Sequence, residues 1–226
     1  MAGRKNFVAG EILTAADVNS FLMDQSVMVF DDSAARGSAI PTPTEGMVTY
    51  LKSDDQVTVF DGAAFKPVGG LVAVKSAIRT TPTSASVTAG NNFSVPDLSI
   101  THEVQDPANK LIISAFFGIA GSGAQQGQCG IGVAQDGTLI GVGTSVGSRQ
   151  ATGAGGRTGA NNARTTLSPS VTFVHTPGAG EKTYTVRAIN IVGSTQTLFI
   201  NRAEDDSNAA DSPRGASAFV IQEVAV

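Results

Sequence analysis

The fold of this chain follows from one apolar run, Leu111-Ile112-Ile113-Ser114-Ala115-Phe116-Phe117-Gly118-Ile119. No charged residue occurs from residue 111 to residue 135, and none occurs from 137 to 148. A strand with one face on a core and one face in water should alternate apolar with polar or charged residues. The run therefore predicts a strand that is covered on both faces.

Short strands are predicted on both sides of this run, and no helical period appears after residue 70. Asp136-Gly137 lies between two of them and is a strong signal for a two-residue hairpin. This pattern predicts an antiparallel sandwich or barrel. The predicted strands are residues 71–79, 85–88, 93–101, 110–119, 129–135, 138–144, 169–174, 182–192, 196–202 and 217–224.

Two arrangements explain the covering of both faces. In a β region without helices, the second face is most simply covered by another copy of the chain, because obligate interfaces resemble a domain core cut in half. The alternative is a central strand between two sheets of one copy, with a loop over it. We expect a homo-oligomer.

Residues 1–68 follow a different pattern and predict a small α+β unit, separated from the rest by Gly69-Gly70. An apolar strand at 7–9 leads to a turn at Gly10 and then to a helix, in which Thr14 and Asp17 are placed for a capping box. A second helical turn follows with Asp32 or Ser33 as its cap. Strands at 47–51 and 56–60 form a hairpin. The core predicted for this unit is Val29, Met47, Tyr50, Val57, Val59, Phe60 and Phe65.

The first helix carries one small apolar face, with Val18, Phe21, Leu22 and Gln25 at i, i+3, i+4 and i+7. A helix this short is marginal by itself, so it needs a surface to pack on. That surface is either the chain's own domain or a partner, in which case residues 1–68 form an attachment segment.

Composition excludes several classes of function. The formal charge of −4 and the lack of a basic run argue against a nucleic-acid partner, which requires Lys and Arg to neutralise phosphates. A single cysteine, Cys129, excludes an internal disulfide and a thiolate metal cluster. No segment has the length and apolarity of a membrane-spanning helix. Gly10, Glu11 and Asp17 interrupt the first apolar run, so we expect no signal peptide and synthesis in a cytoplasm.

Two loops are candidates for function. Residues 147–164 form a glycine-rich segment with Arg149, Arg157 and Arg164 and no carboxylate. Long loops in compact domains are often functional, so this one is either a surface for an anionic or glycan ligand or a surface excursion. The acidic segment 204–211 is either a calcium site or a solvated turn, and it lacks the ligand spacing of an EF-hand.

Catalytic chemistry is not indicated. His102 and His175, the only histidines, lack metal-ligand neighbours at zinc-site spacing, and Cys129 lacks a basic environment that would activate a thiol. We expect structural roles for all three. The sequence shows no dinucleotide fingerprint, P-loop or nucleophile elbow. We therefore expect no enzyme, no catalytic residues, no cofactor and no metal, although a carboxylate pair of the glycosidase type leaves no sequence signature.

The first 68 residues resemble the N-terminal segment of minor tail proteins and tail fibres of tailed bacteriophages. The resemblance covers about a third of the chain and rests on blocks in the same order, at residues 7–23, 27–30, 34–36, 43–51 and 57–62. The C-terminal β region, which ends in the segment 215–224, is similar to the β-sandwich heads of trimeric phage fibres. The sequence lacks the coiled-coil or β-helical shaft of a long fibre.

This resemblance implies a mainly β virion protein: an attachment unit at 1–68 and a jelly-roll-like, trimeric β-sandwich head at 69–226. Attachment to the particle would use Phe7, Ile12, Leu13, Val18, Phe21 and Leu22. The head would present Arg149, Arg157 and Arg164 to a glycan or protein of the host cell surface. Its partners would be sister copies and other virion proteins of the tail or capsid. A head fibre or capsid decoration protein with a purely structural role is the alternative.

Overall fold

The computed structural model describes residues 8–18, 26–68, 70–122, 127–157, 164–208, 210 and 213–225. The chain divides into two compact units, one up to Gly70 and one from Leu71 to Val224. The fold is mainly β, as the sequence predicted, with short helices only in the first unit among the described residues.

The described part of the first unit contains two short helices and one four-stranded sheet. The sheet order is β1-β2-β3-β4, with β1 parallel to β2 and the other pairs antiparallel. The predicted hairpin is confirmed as β2 and β3. The elements are α1 (Ala15–Asp17), β1 (Met28–Phe30), α2 (Ser33–Ala39), β2 (Val48–Leu51), β3 (Gln56–Phe60) and β4 (Phe65–Pro67).

The core predicted for the first unit is partly wrong. Thr49 and Thr58 are the buried cross-strand pair, and their hydroxyls lie 2.7 Å apart. The Arg36 guanidinium donates to Thr58 Oγ1 at 3.0 Å and stacks 3.9 Å from the centre of the Phe65 ring. Val29 and Val57, expected inside, are 57% and 37% exposed. The alternation of residue types along β2 and β3 did not reveal which face of the sheet lies inward. Threonine can be buried in a strand when its hydroxyl has a partner, and here the hydroxyls of the two threonines bond to each other.

The second unit is built from twelve strands among the described residues, and most lie where the sequence predicted strands. They are β5 (Leu71–Arg79), β6 (Thr83–Val87), β7 (Asn92–Val104), β8 (Lys110–Phe116), β9 (Ile119–Gly121), β10 (Gln128–Gln135), β11 (Thr138–Ile140), β12 (Ala154–Arg157), β13 (Ser170–His175), β14 (Gly180–Asn190), β15 (Gln196–Ile200) and β16 (Ser217–Val224).

Two antiparallel sheets of this unit have the topology of a jelly roll. One sheet has the order β13-β8-β16-β5 and the other β11-β10-β14-β7, with β12 also paired to β10. We count β11 and β12 as one interrupted strand and number the eight strands of these two sheets 1 to 8 in chain order. The strand order is then 6-3-8-1 in the first sheet and 5-4-7-2 in the second. Successive strands thus change sheets, except that strands 4 and 5 form a hairpin within one sheet. This is the jelly-roll pattern of two interlocked Greek keys.

The core of this unit lies between the two sheets. Leu111, Ile113, Phe219 and Ile221 contribute from one sheet, and Ile131, Val133, Tyr184 and Val186 from the other; each is at most 1% exposed. In β8 the burial alternates, with Leu111 and Ile113 buried and Phe116 47% exposed. The apolar run therefore covers the core with one face only, and its second face lies at the surface of the single copy.

The two ends of the sandwich differ. Leu71 at the start of β5 pairs with Val224 at the end of β16, so the chain enters and leaves this unit at one end. A third sheet, in the order β6-β15-β9, is built from the connections that follow β5, β14 and β8. Because β5, β8 and β14 all run away from the entry end, the third sheet, which is built after them, lies at the opposite end of the sandwich.

The glycine-rich loop predicted at 147–164 is not a single loop. Its residues 154–157 form β12, which pairs with β10 from Gln128 to Ile131, while β11 pairs with the other half of β10. One edge strand is thus interrupted by an insertion at 141–153, which rejoins the edge through Gly153 N–H to Ile131 O at 2.8 Å. The sequence signal was missed because three of the four residues of β12 are glycine or alanine, which are depleted in strands.

The turn between β10 and β11 gives a test of the fold. Asp136 and Gly137 have φ of +48° and +89°, as a two-residue type I′ turn requires. A Cβ at Gly137 would meet nothing within 4 Å, so Gly137→Ala probes the backbone alone. We expect a loss of about 1 kcal/mol in the free energy of unfolding, measured by urea denaturation.

Gly193→Ala is the matched control. Gly193 also has open space around it but lies outside the left-handed region, so its replacement should change stability by less than about 0.5 kcal/mol. Equal effects of the two substitutions would contradict the assignment of the turn.

Candidate functional site

The predicted attachment residues at the start of the chain are strongly exposed where the structure describes them. Val8, Ile12 and Leu13 are 73%, 84% and 52% exposed. Val18 is half-buried at the end of α1. Phe7, Phe21 and Leu22 lie outside the described residues. Of the strand predicted at 7–9, the described residues 8 and 9 lie instead in a turn from Val8 to Glu11.

This exposed apolar segment has a defined local conformation. The predicted capping box of α1 is present: Thr14 Oγ1 accepts from the Asp17 N–H at 3.1 Å, and Asp17 Oδ2 accepts from the Thr14 N–H at 3.2 Å. Before it, Glu11 N–H donates to Val8 O at 3.0 Å around Gly10, whose φ is +87°. The backbone between turn and cap therefore holds Ile12 and Leu13 outward.

The three predicted ligand-facing arginines lie in three different settings. Arg149 lies in the insertion 141–153, in a turn closed by its own N–H to Val146 O. Arg157 is the last residue of β12 and is exposed. Arg164 donates through Nε to Asp205 Oδ2 at 2.9 Å. Its charge is therefore already compensated by the acidic segment.

The acidic segment is organised by arginines. Arg214 donates twice to Asp206, at 2.9 and 2.8 Å, and Arg202 lies 3.6 Å from the same carboxylate. These hydrogen bonds lower the pKa of Asp206, and the bond from Arg164 lowers that of Asp205. No group of three His, Cys, Asp or Glu side chains placed to hold a metal ion occurs within the described ranges.

A pocket of about 400 Å³ opens beside β12. Its lining residues are Gln128, Thr152, Gly155, Gly156, Arg157 and Ile191. Of these, the sequence had singled out Arg157, within the candidate segment 147–164 that also contains Thr152, Gly155 and Gly156. Gln128 and Ile191 were missed, because they come from two other segments and carry no motif.

A buried polar cluster joins β7 to β16 at the entry end of the sandwich. Glu223 is fully buried and accepts from three groups: His102 Nε2 at 2.7 Å, the Gln105 N–H at 2.9 Å and Asn109 Nδ2 at 2.7 Å. The histidine thus has a structural role. The sequence did not indicate Glu223, which lies more than a hundred residues away from each of its partners.

Three further titratable groups, Cys129, His175 and Tyr184, are buried or half-buried. Burial raises the pKa of the Cys129 thiol to about 12, so the thiolate is scarce at neutral pH. Burial lowers the pKa of His175, which bonds to Gln135 Oε1. Burial, with the nearby Asp136 and Glu223, raises the pKa of Tyr184 to about 12. These environments suit packing and not acid–base exchange near pH 7.

The outward faces of the two main sheets differ in charge. On the sheet β13-β8-β16-β5 no charged side chain occurs in the three central rows, which the register aligns as Val174-Ile112-Gln222-Val74, Thr172-Ser114-Val220-Ser76 and Ser170-Phe116-Ala218-Ile78. Val174, Val74 and Ile78 are 67%, 53% and 68% exposed. The other sheet carries Glu103 and Glu181, which oppose each other across β7 and β14.

Comparisons with known proteins find no family and only weak structural similarity. A scan against protein-family models found no match, and neither did a search of curated proteins. Among solved structures, a chain of infectious bursal disease virus Gx strain is 11% identical, with a TM-score of 0.33; the match covers 75% of this chain and 45% of the viral one. A chain of the Gt strain is 12% identical, with a TM-score of 0.36, over 87% and 55%.

The chain spans about half the length of these viral chains. Such low scores support no inference about function, and the class of protein is defined by the strand order itself, which is that of a jelly roll. None of the described helices is long and apolar enough to span a membrane.

The Glu223 cluster gives a second test. Glu223→Ala leaves His102, Asn109 and the Gln105 N–H without their buried acceptor, and we expect a loss of about 3 kcal/mol in the free energy of unfolding. The measurement is urea denaturation followed by circular dichroism. Glu103→Ala is the control, because Glu103 adjoins His102 in β7 but is exposed, and it should cost less than about 0.5 kcal/mol. A Glu223→Ala variant as stable as the control would show that the cluster does not hold β16 in place.

Proposed function

We propose that this chain is a non-enzymatic structural protein of a tailed-bacteriophage virion. In this proposal it is a short tail fibre or spike. The first unit docks on the particle, and three jelly-roll heads together face the host surface. The resemblance of residues 1–68 to phage tail proteins motivates the proposal. The jelly roll is also a recurrent fold of viral capsid and lectin domains, which is support by analogy only.

One observation carries the attachment role: Ile12 and Leu13 are exposed in a segment with fixed local structure. An isolated exposed apolar side chain needs no explanation. Here Val8, Ile12 and Leu13 are all exposed within six residues that end at a capping box. Burying two such side chains against a partner would contribute roughly 1.5–3 kcal/mol each. The segment therefore fits an anchor that packs into another virion protein.

The uncharged sheet face supports the assembly of copies. An antiparallel sheet that faces water normally presents polar and charged side chains, as the sheet with Glu103 and Glu181 does in this molecule. The sheet with Ile78 and Val174 lacks them over its three central rows. A sheet face without charged side chains cannot form ion pairs with a partner. The same face of a second copy is also uncharged, so the two faces can pack together.

Binding, and not catalysis, is assigned to the head. His102, His175 and Cys129 each have a packing role in the structure. The end of the sandwich opposite the chain's entry carries the third sheet, and the pocket lies at the same end, because β12 pairs with the first residues of β10. Three copies would present three such ends, and weak contacts would then combine through avidity.

The attachment role is tested by Ile12→Asp. Particles assembled in cells that supply this variant as the sole copy should contain at least about tenfold less of the protein, because an unpaired carboxylate cannot enter an apolar site. Immunoblots of purified particles measure the incorporation. Val146→Asp, at a valine that is 61% exposed in the insertion 141–153, is the matched control and should be incorporated normally.

Equal incorporation of both variants would overturn the anchor. Immunogold labelling of the control particles then separates the two virion locations. Label on the tail supports the fibre, whereas label on the capsid supports the alternative, a head fibre or decoration protein.

The assembly surface is tested by Ile78→Lys combined with Val174→Lys. These side chains are 68% and 67% exposed in the single copy, so the change should leave the fold intact while charging the proposed interface. We expect a trimer mass for the wild type and a monomer mass for the variant in light scattering after size exclusion. Ser99→Lys with Thr101→Lys, at exposed positions on the other sheet, should remain trimeric. A monomeric wild type, or an unchanged variant, would contradict this surface.

A further inference from the structure

The pocket beside β12 is built by an irregularity of the sheet edge. The insertion 141–153 turns back over the outward face of β10, where a Cβ at Gly130 would lie 2.8 Å from Thr152 Cγ2 and one at Gly132 would lie 3.4 Å from Val142 Cγ1. Real Cβ atoms do not approach as closely as the first of these distances, so glycine at 130 is required by the insertion. The pocket therefore follows from the path of the insertion and from the glycine at position 130.

The strand register places three of the lining residues, Gln128, Gly155 and Arg157, on one face of the sheet. Arg157 is directly opposite Gln128, and Gly155 is directly opposite Gly130. Residues two apart on a strand, and residues opposite each other on neighbouring strands, point to the same side of a sheet. The two long polar side chains therefore border Gly155, which has no side chain, and Thr152 lies above Gly130.

One wall of the pocket is apolar. Ile191 follows the end of β14, and its Cδ1 lies 3.5 Å from where a Cβ of Gly155 would be. Ile191 is half-buried, so part of its side chain remains available for contact. Small-molecule pockets of about this volume combine apolar contact with a few convergent polar groups.

The polar groups of the pocket have unused bonding capacity. Within the ranges that the structure describes, the side chains of Gln128, Thr152 and Arg157 make no hydrogen bond or ion pair. By contrast, Arg79, Arg164 and Arg214 each bind an aspartate. The pocket lining contains no carboxylate, so the charge of Arg157 is available to an anion.

We propose that this pocket binds one acidic monosaccharide unit of a glycan. The carboxylate would pair with Arg157, because a guanidinium group can donate two parallel hydrogen bonds to a carboxylate. Sugar hydroxyls would bond to the Gln128 amide and the Thr152 hydroxyl, and the C–H face of the ring would pack on Ile191. An inorganic anion would satisfy Arg157 alone and leave the other three side chains without contacts.

This assignment rests on the proposed host-binding role for its biological meaning, and it names the class of ligand. The test uses the purified full chain and two probes, methyl β-D-glucuronide and methyl β-D-glucopyranoside, which differ in having a carboxylate or a hydroxymethyl group. Titrations are followed in two-dimensional ¹H–¹⁵N TROSY spectra. We expect the acidic sugar to bind with a Kd of about 1–10 mM and to shift the signals of Gly155, Gly156 and Thr152.

The neutral sugar should bind at least about tenfold more weakly. Arg157→Gln should weaken binding of the acidic sugar by at least about tenfold, and Thr152→Val, which keeps the methyl group packed over Gly130, by about threefold or more. Lys75→Gln is the control: it removes an exposed positive charge of the head that does not line the pocket, and the Kd should be unchanged.

Three results would overturn the assignment: equal affinity for the two sugars, no shifts at the pocket up to about 50 mM sugar, or equal losses in the Lys75 and Arg157 variants. These outcomes are independent of particle incorporation. A chain that enters virions but fails to bind the acidic sugar loses this pocket assignment only. A chain that binds the sugar but is excluded from virions loses the proposed function and keeps the pocket.

Discussion

The position of β16 between β5 and β8 is the pairing on which the head depends. The last strand of the chain completes the sheet that the first strand of this unit begins, and it contributes Phe219 and Ile221 to the core. Glu223 then ties its end to β7 through a fully buried carboxylate. Since both contacts join residues more than a hundred positions apart, the sandwich closes only when the whole unit has been assembled.

The site depends on a departure from this regular plan. The edge strand that pairs with β10 is broken by the insertion 141–153 into β11 and β12. The insertion turns back over the outward face of β10. Beside it lies a depression lined by Gly155 and Gly156 and bordered by Gln128, Thr152 and Arg157. Function on a rigid β scaffold commonly resides in such irregular edges, because they vary without disturbing the core.

Surface charge divides the head into regions with different proposed roles. The sheet that carries Ile78 and Val174 lacks charge in its three central rows and is assigned to contact between copies. The opposite sheet carries charged residues such as Glu103 and Glu181. Near the third sheet, Arg164, Arg202 and Arg214 are engaged by Asp205 and Asp206. Arg157 has no such partner among the described residues and is assigned to ligand binding.

The sequence by itself determined most of the strands, the hairpin turn at Asp136-Gly137, the capped helix at Thr14 and the mainly β class. These features depend on short-range chemistry: side-chain alternation, turn conformation and capping hydrogen bonds. Tertiary structure alone decided the strand order, the inward face of β2 and β3, the partners of Glu223 and the pocket at β12. Each of these joins residues that are distant in the chain or weak in local propensity, so no window of sequence contains the interaction that fixes them.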